Sequence, residues 1–549
     1  MIKPSILLSL FVLLFVVCGG VYSETTVLYV KSSAQQKTYC GAYQSDPCSS
    51  IDLALENFKK TTSPAKYSNG VTVVLMDQIY NLVSESVEVT GLNVTITSNQ
   101  GIQTTIYGQD RSQALFVIKP SIQPTTFIID RVAFQSFNSG PIANFQFSSN
   151  GSTNKVTLKR VIVTESIQDG AVLFNVSQSL KGSDTTFNIF DSLFDHNNVL
   201  LMDAYKISVN IQNSSFYNNT NDILFDLHQT NSTINNCLFN FSGSITFDYG
   251  GSAFINSSTF SNGTSAYPPI TTKSDLVVSN SIFQYNIGNS AGGILFIGSH
   301  FKINNCQFIN NNGFAGALSF TSSSMGFVQN SLLLDNYGSG SMAFYASSST
   351  VSVSNTNITT SFAMQGSYNQ LIDVEYSTIS FSNSIVSSQS IPWGTFSVVS
   401  CTTSSISVAN TTIDSNGYDA TARNHGNNIL FDCVPSSCLV ANIDTSYDNS
   451  PTYQCDKFQY RDYDPVVRVY LLTGLIISIG FFVIGVIIIG CCIKRSKACK
   501  DNTIQPEGNS FVINIVGETK PLVANNNNMN NKIITPTAII TAPSGYSYI

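Results

Sequence analysis

A phrase recurs between Phe190 and Ile413: an Asn, a small residue, any residue, then Phe or an aliphatic, often with another Asn three positions on. The fourth residue of each copy is Phe194, Phe216, Phe239, Phe260, Phe283, Phe308, Leu333, Ile358, Ile385 and Ile413, at steps of 21 to 28 residues. A unit this short cannot bury its own core. It must stack on its neighbours, so the chain is a solenoid. Within a unit such as Phe301–Asn311 the pattern is one of strands: Phe301 and Ile303 alternate with Lys302, a polar turn follows, and Cys306 and Phe308 resume the alternation. A parallel stack rising about 4.8 Å per coil places the ten landmarks over roughly 45 Å.

Two columns accompany the landmark. Three residues before it stand Asn213, Asn236, Asn280, Asn305, Asn330, Asn355 and Asn410, with Asp191, Ser257 and Ser382 as exceptions. Asn at one turn of successive coils can pass its amide to the next, and the column is read as an inward-facing ladder. Two residues before the landmark the side chains are small, including Cys237 and Cys306; Asn383 is the larger exception. These cysteines fall three coils apart, about 14 Å, too far for a disulfide, and are expected to be buried free thiols.

The flanks read differently. Residues 1–23 carry one early cation, Lys3, an apolar run and a small-residue end, the form of a cleaved secretory signal. In residues 24–133, Ser49 and Asp52 suggest a helix N-cap, with Ile51, Ala54, Leu55 and Phe58 on one face. Such a helix would cap the open end of the stack, with Cys40 and Cys48 as a local staple. Early irregular coils follow, and the array occupies residues 134–416. Residues 417–465 form a C-terminal cap and neck; Cys401, Cys433, Cys438 and Cys455 are further disulfide candidates, their pairing open.

Residues 466–493 are almost wholly apolar, and the 25 residues from Val469 carry no charge. Lys494, Arg495, Lys497 and Lys500 follow at once, so a single span with a cytoplasmic C-terminus is expected, at the plasma or an endosomal membrane. Gly474 and Ser478 would permit dimerisation through the span. The tail, 494–549, is Asn-rich without apolar periodicity and reads as disordered; Tyr546 and Ile549 fit a terminal sorting motif.

Sequons agree with that topology. Asn93, Asn150, Asn175, Asn213, Asn218, Asn231, Asn240, Asn256, Asn262, Asn357 and Asn410 all precede the span. The inward reading of the ladder excludes Asn213 and Asn410 from glycosylation and exposes Asn218 and Asn262.

The N-[SC]-x-F phrase and its Asn turn column resemble the right-handed parallel β-helix of the pectin-lyase-like superfamily, over roughly residues 25–455. With the C-G-x(5)-P-C-S-S-I opening, one span and an Asn-rich tail, the chain also resembles single-pass β-helix surface proteins of social amoebae. The resemblance implies an all-β ectodomain and raises the question of polysaccharide chemistry.

Motifs for that chemistry are missing: there is no Asp-Asp pair, N-T-D, G-H-G or R-I-K. His196, His228, His300 and His425 share no offset and make no metal spacing. Asp191, Asp195 and Asp203 near His196, and Glu165 and Asp169, read as solvent-facing turn residues. A net charge of -7 without a basic patch before residue 494 argues against nucleic acid. The expectation is a non-enzymatic recognition scaffold for glycans or proteins, without cofactor or metal; the alternatives are a polysaccharide lyase or hydrolase, and a receptor signalling or sorted through its tail.

Overall fold

The computed structural model describes residues 25–441 except 38, 64–66, 68, 82–85, 109–112, 149–152, 180–184, 362–369, 389–395, 416–427 and 434–436. The signal segment, Asn150, Cys455, the apolar segment 466–493, the tail and the Tyr546–Ile549 motif lie outside the described residues. Among the described residues no helix is long and apolar enough to cross a membrane.

Each coil contributes one strand to each of three parallel sheets. Sheet A has sixteen strands; sheets B and C have fourteen each, and the strand order in every sheet advances one coil at a time. This is a right-handed-type parallel β-helix. In one coil, Ser208–Gln212 lies in sheet A, Ser215–Tyr217 in sheet B and Ile223–His228 in sheet C. Three corners join them: turn 1 from A to B, turn 2 from B to C, turn 3 back to A.

The landmark residues form the inner face of sheet B. Phe194, Phe216, Phe239, Phe260, Phe283 and Phe308 stack with ring centroids 4.6–5.0 Å apart, the coil rise itself. One landmark moves: Ile358 pairs with Val386, and Val386 with Ile413, so Ile385 is exposed. That shift of one residue removes both irregularities of the ninth coil, since Asn383 then stands in the turn column and Ser384 in the small column.

Turn 1 is made by a left-handed residue in twelve consecutive coils, from Arg131 and Arg160 through Asp191, Asn213, Asn236, Ser257, Asn280, Asn305, Asn330, Asn355 and Asn383 to Asn410, all with φ between 46° and 60°. Asn tolerates this conformation best among residues with a Cβ, which explains its frequency there. The bend inserts one extra outward position, so all seven Asn of the column are exposed. The ladder therefore runs along the outside: Asn236 Nδ2 donates to Asn213 Oδ1 at 2.9 Å, Asn305 to Asn280 at 2.8 Å and Asn410 to Asn383 at 2.7 Å.

The buried Asn ladder is in turn 2, three residues after the landmark. Asn197, Asn219, Asn286, Asn311 and Asn336 are at most 3% exposed. Asn286 Nδ2 donates to Asn311 Oδ1 at 3.0 Å and to the Phe260 carbonyl at 3.0 Å, and Asn311 repeats the pattern with Asn336 and Phe283. A side chain that joins its neighbour and closes a backbone carbonyl satisfies the buried corner.

In the small column, hydroxyls and thiols are interchangeable. Ser258 Oγ donates to the Asn256 carbonyl at 2.9 Å, and Cys237 Sγ and Cys306 Sγ lie 3.3 and 3.4 Å from the equivalent carbonyls of Asn235 and Asn304. Both cysteines are buried and free.

Helix α1 (Ile51–Thr61) buries Ile51, Ala54, Leu55, Asn57 and Phe58 against the first coil. Its N-cap is Ser50, one residue later than the capping pattern suggests, and the Ser50 side chain accepts from Leu53 N–H at 3.2 Å. Cys40 and Cys48 are joined with Cα atoms 4.9 Å apart. At the other end Cys401 is joined to Cys438, and Cys433 stands beside them with the three sulfurs within 4.8 Å.

Candidate functional site

The outer face of sheet C gathers ionisable groups that the sequence scatters. Asp203 and Asp226 are directly paired across neighbouring strands, and in the adjacent column Tyr205, His228 and Asp248 stand one above the other. Phe225, Leu227, Ile245 and Phe247 point inward on the same strands, so alternation forces the polar partners outward. Lys273 follows from the next coil at turn 3.

Contacts tie the group together. His228 Nε2 lies 3.1 Å from Asp226 Oδ2, and its Nδ1 lies 3.9 Å from Asp248 Oδ2. Lys273 Nζ approaches Asp248 Oδ1 at 3.0 Å and sits 4.8 Å from the centre of the exposed Tyr249 ring. The hydrogen bond with Asp248 pushes the Lys273 pKa up. Burial, then the facing charge of Asp226, push the Asp203 carboxyl above the ordinary range. Asp226 Oδ1 is buried and makes no hydrogen bond among the described residues, and Thr271 Oγ1, two coils on in the same column, is in the same condition.

Asp226, His228 and Asp248 have the ligand types of a metal centre and lie within 4.8 Å of one another. The Lys273 ammonium meets the carboxylate of Asp248, so one of the three carboxylates already faces a side-chain cation.

Most of the residues weighed from sequence lie elsewhere, and His425 lies outside the described residues. Asp191 occupies turn 1; Glu165 and His196 occupy turn 2 in left-handed conformation, and His196 Nδ1 contacts its own neighbour Asp195 at 2.8 Å. His300 is paired with Asp275 on the face of sheet A, 3.1 Å away. Of those candidates Asp203 and His228 join the cluster. Asp226, His228, Asp248 and Lys273 were legible only once coils were set in register: counted from the preceding landmark, Asp203 and Asp248 are both at +9, and Asp226 at +10.

Among the sequons, Asn175, Asn213, Asn231, Asn357 and Asn410 are exposed, whereas Asn93, Asn218, Asn240, Asn256 and Asn262 are half-buried. The ladder thus sorts them in the opposite sense for Asn213 and Asn218, because turn 1 faces out.

No protein-family model matches the chain, and no curated protein does. Among solved structures, the A-module of the Azotobacter vinelandii mannuronan C-5 epimerase AlgE6 is similar at 14% identity and TM-score 0.31, covering 72% of this chain and 95% of that one. A mannuronic acid specific polysaccharide family 6 lyase from human gut microbiota is similar at 10% identity and TM-score 0.26, covering 71% and 86%. A rhamnogalacturonan lyase shares 14% identity at TM-score 0.19, covering 64% and 82%. The fold is a parallel β-helix. That statement concerns fold alone, since one fold hosts many functions.

Proposed function

We propose that the chain acts on an extended polysaccharide laid on the outer face of sheet C, by acid–base chemistry at Asp203, Asp226, His228 and Asp248. The observation that carries this reading is the convergence of Asp226, His228 and Asp248 within 4.8 Å from successive coils of a chain that is only 11% charged. An exposed sheet face suits a long polymer better than a small metabolite, which favours an enclosed pocket. Asp203 and Asp226 face each other with Asp203 inclined to keep its proton, so one carboxyl can donate while the other accepts. Asp226 and Asp248 orient the His228 ring between them. Three carboxylates against Lys273 and one imidazole leave the patch acidic, which favours a neutral polymer over a polyuronate.

A second reading is recognition without turnover. It is favoured by the pairing of Lys273 and His228 with Asp248, which leaves those groups engaged with one another.

The full-length protein, incubated with neutral and anionic polysaccharides, separates the two. New reducing ends from a neutral polymer, abolished by Asp226→Asn and by His228→Gln, are the expected result. Retention of a polymer without new ends supports recognition alone. Unsaturated ends from a polyuronate would replace the assigned substrate class.

A further inference from the structure

In nine consecutive coils, from that of Phe134 to that of Leu333, turn 2 repeats a left-handed residue two positions after the inward residue of sheet B: Ser136, Glu165, His196, Asn218, Phe241, Asn262, Tyr285, Asn310 and Asp335, all with φ between 50° and 58°. Asn and Asp suit this conformation. Phe241 and Tyr285 do not, since a bulky side chain in left-handed backbone is costly and is retained where surroundings or function demand it. Neither ring is buried to compensate: Phe241 is 50% exposed and Tyr285 52%. They stand two coils apart, about 10 Å, on the same edge.

Beside Phe241 the surface is indented. One cleft is lined by Asn218, Thr220, Asn221, Phe241, Gly243 and Ser265 among others; a second, below it, is lined by Glu165, Ile167, His196 and Asn198 and shares Asn218 and Thr220 with the first. The two are one groove running along the solenoid axis. Its floor at Gly243 must be glycine, because a Cβ there would stand 1.9 Å from the Asn221 carbonyl oxygen. The opposite wall is braced, with Ser265 Oγ donating to Asp222 Oδ1 at 3.2 Å.

We infer that this turn 2 groove is an anchoring subsite for a neutral glycan chain, with a sugar ring stacked on Phe241 and its hydroxyls met by Asn218, Asn221, Thr220 and Ser265. An apolar platform with amides and hydroxyls around it fits a polyhydroxylated ring, which has one apolar face and hydrogen-bonding edges. The carboxylates at its edges are Glu165, Asp195, which accepts from Asn218 Nδ2 at 3.2 Å and contacts His196, and Asp222 in the braced wall, so a neutral chain fits it and an anionic one does not. Tyr285 supplies a second platform two coils along. The groove lies at the start of the sheet C strands and the Asp226 cluster at their ends, so the subsite holds the chain without touching the reactive groups. The inference rests on the reading that this β-helix handles an extended glycan.

Binding of cellohexaose, mannohexaose, xylohexaose, laminarihexaose and chitohexaose to the full-length protein, followed by saturation-transfer NMR and calorimetry, tests it. At least one hexasaccharide is expected to bind, with affinity falling about tenfold or more in Phe241→Ala and restored by Phe241→Tyr. Phe241→Asn, which matches the preferred residue of the column, is expected to raise the melting temperature while losing the ligand. Asp226→Asn should leave hexasaccharide binding unchanged, so failure of the subsite and failure of the proposed chemistry are read separately. Asn218 belongs to a sequon, and a glycan found on it by glycopeptide mapping would fill the groove and overturn the inference. So would hexasaccharide binding that is indifferent to Phe241→Ala, or no binding at all.

Discussion

Asn311 donates from Nδ2 to Asn336 Oδ1 at 2.9 Å in a corner where both side chains are sealed from solvent. Asn311 Nδ2 also closes the Phe283 carbonyl, and its Oδ1 accepts from Asn286. Asn311→Ala therefore leaves several buried groups unpaired and should cost about 2–3 kcal/mol. The exposed counterpart Asn305→Gly should cost under about 0.5 kcal/mol, because glycine keeps the left-handed turn and water replaces the lost partner. Urea unfolding of the two variants checks the contrast. Equal losses would show that the outer ladder bears as much of the stack as the inner one.

Burial pushes the thiols of Cys237 and Cys306 up to about 11, so neither is a thiolate at neutral pH. Native protein should leave both unmodified by iodoacetamide, and unfolding should expose both, as mass spectrometry can count. Cys237→Ser should change stability by about 1 kcal/mol or less, since serine holds the same position in five other coils from Ser192 to Ser331.

Asp373 is raised from 3.8 to about 6, first by burial and then by the charge of Glu375. The folded state holds this proton more tightly than the unfolded chain, so the resulting stabilisation is complete below about pH 4 and is lost as pH rises through 6. Asp373→Asn removes the buried charge. Calorimetry should find the variant melting higher than the native protein at pH 8 and level with it at pH 4; a lower melting point at pH 8 would mean that the carboxylate is needed.

Passed through a secretory pathway, the chain should carry glycans at Asn231 and Asn357, which are exposed, outside the amide ladders and on sheets A and B. Asn256 is half-buried and donates from Nδ2 to Asn235 Oδ1 at 2.9 Å, so it should remain bare. Glycopeptide mapping distinguishes these, and full occupancy at Asn256 would contradict the ladder as drawn.

The stack itself was readable because Phe194 to Phe308 are large, regularly spaced and buried, and burial is what periodicity reports. The direction of the Asn columns was not. Alternation at period two holds along a strand, but each left-handed corner adds one outward residue, and nothing in the letters of Asn213 and Asn219 says which of them forms the corner. The second Asn of the phrase was visible from the start; its burial was not. The charged cluster was hidden for a different reason. His228 and Asp248 are 20 residues apart in sequence and neighbours only across coils, so a search for contiguous motifs passes over them. The expectation of a non-enzymatic scaffold followed from that search, which did not set the coils in register; the chemistry proposed above rests on the cluster that the register assembles.

The corners also determine what can change in this molecule. A coil is defined by where its left-handed residues fall, so its register is independent of how many coils precede it. Removing residues 305–329 would join Asn304 to Asn330, which stands where Asn305 stood, and lower Leu333 onto the ring of Phe283. Length is then a free variable for this protein: the span between its two ends can be lengthened or shortened one coil at a time, each step moving whatever lies above by a fixed height.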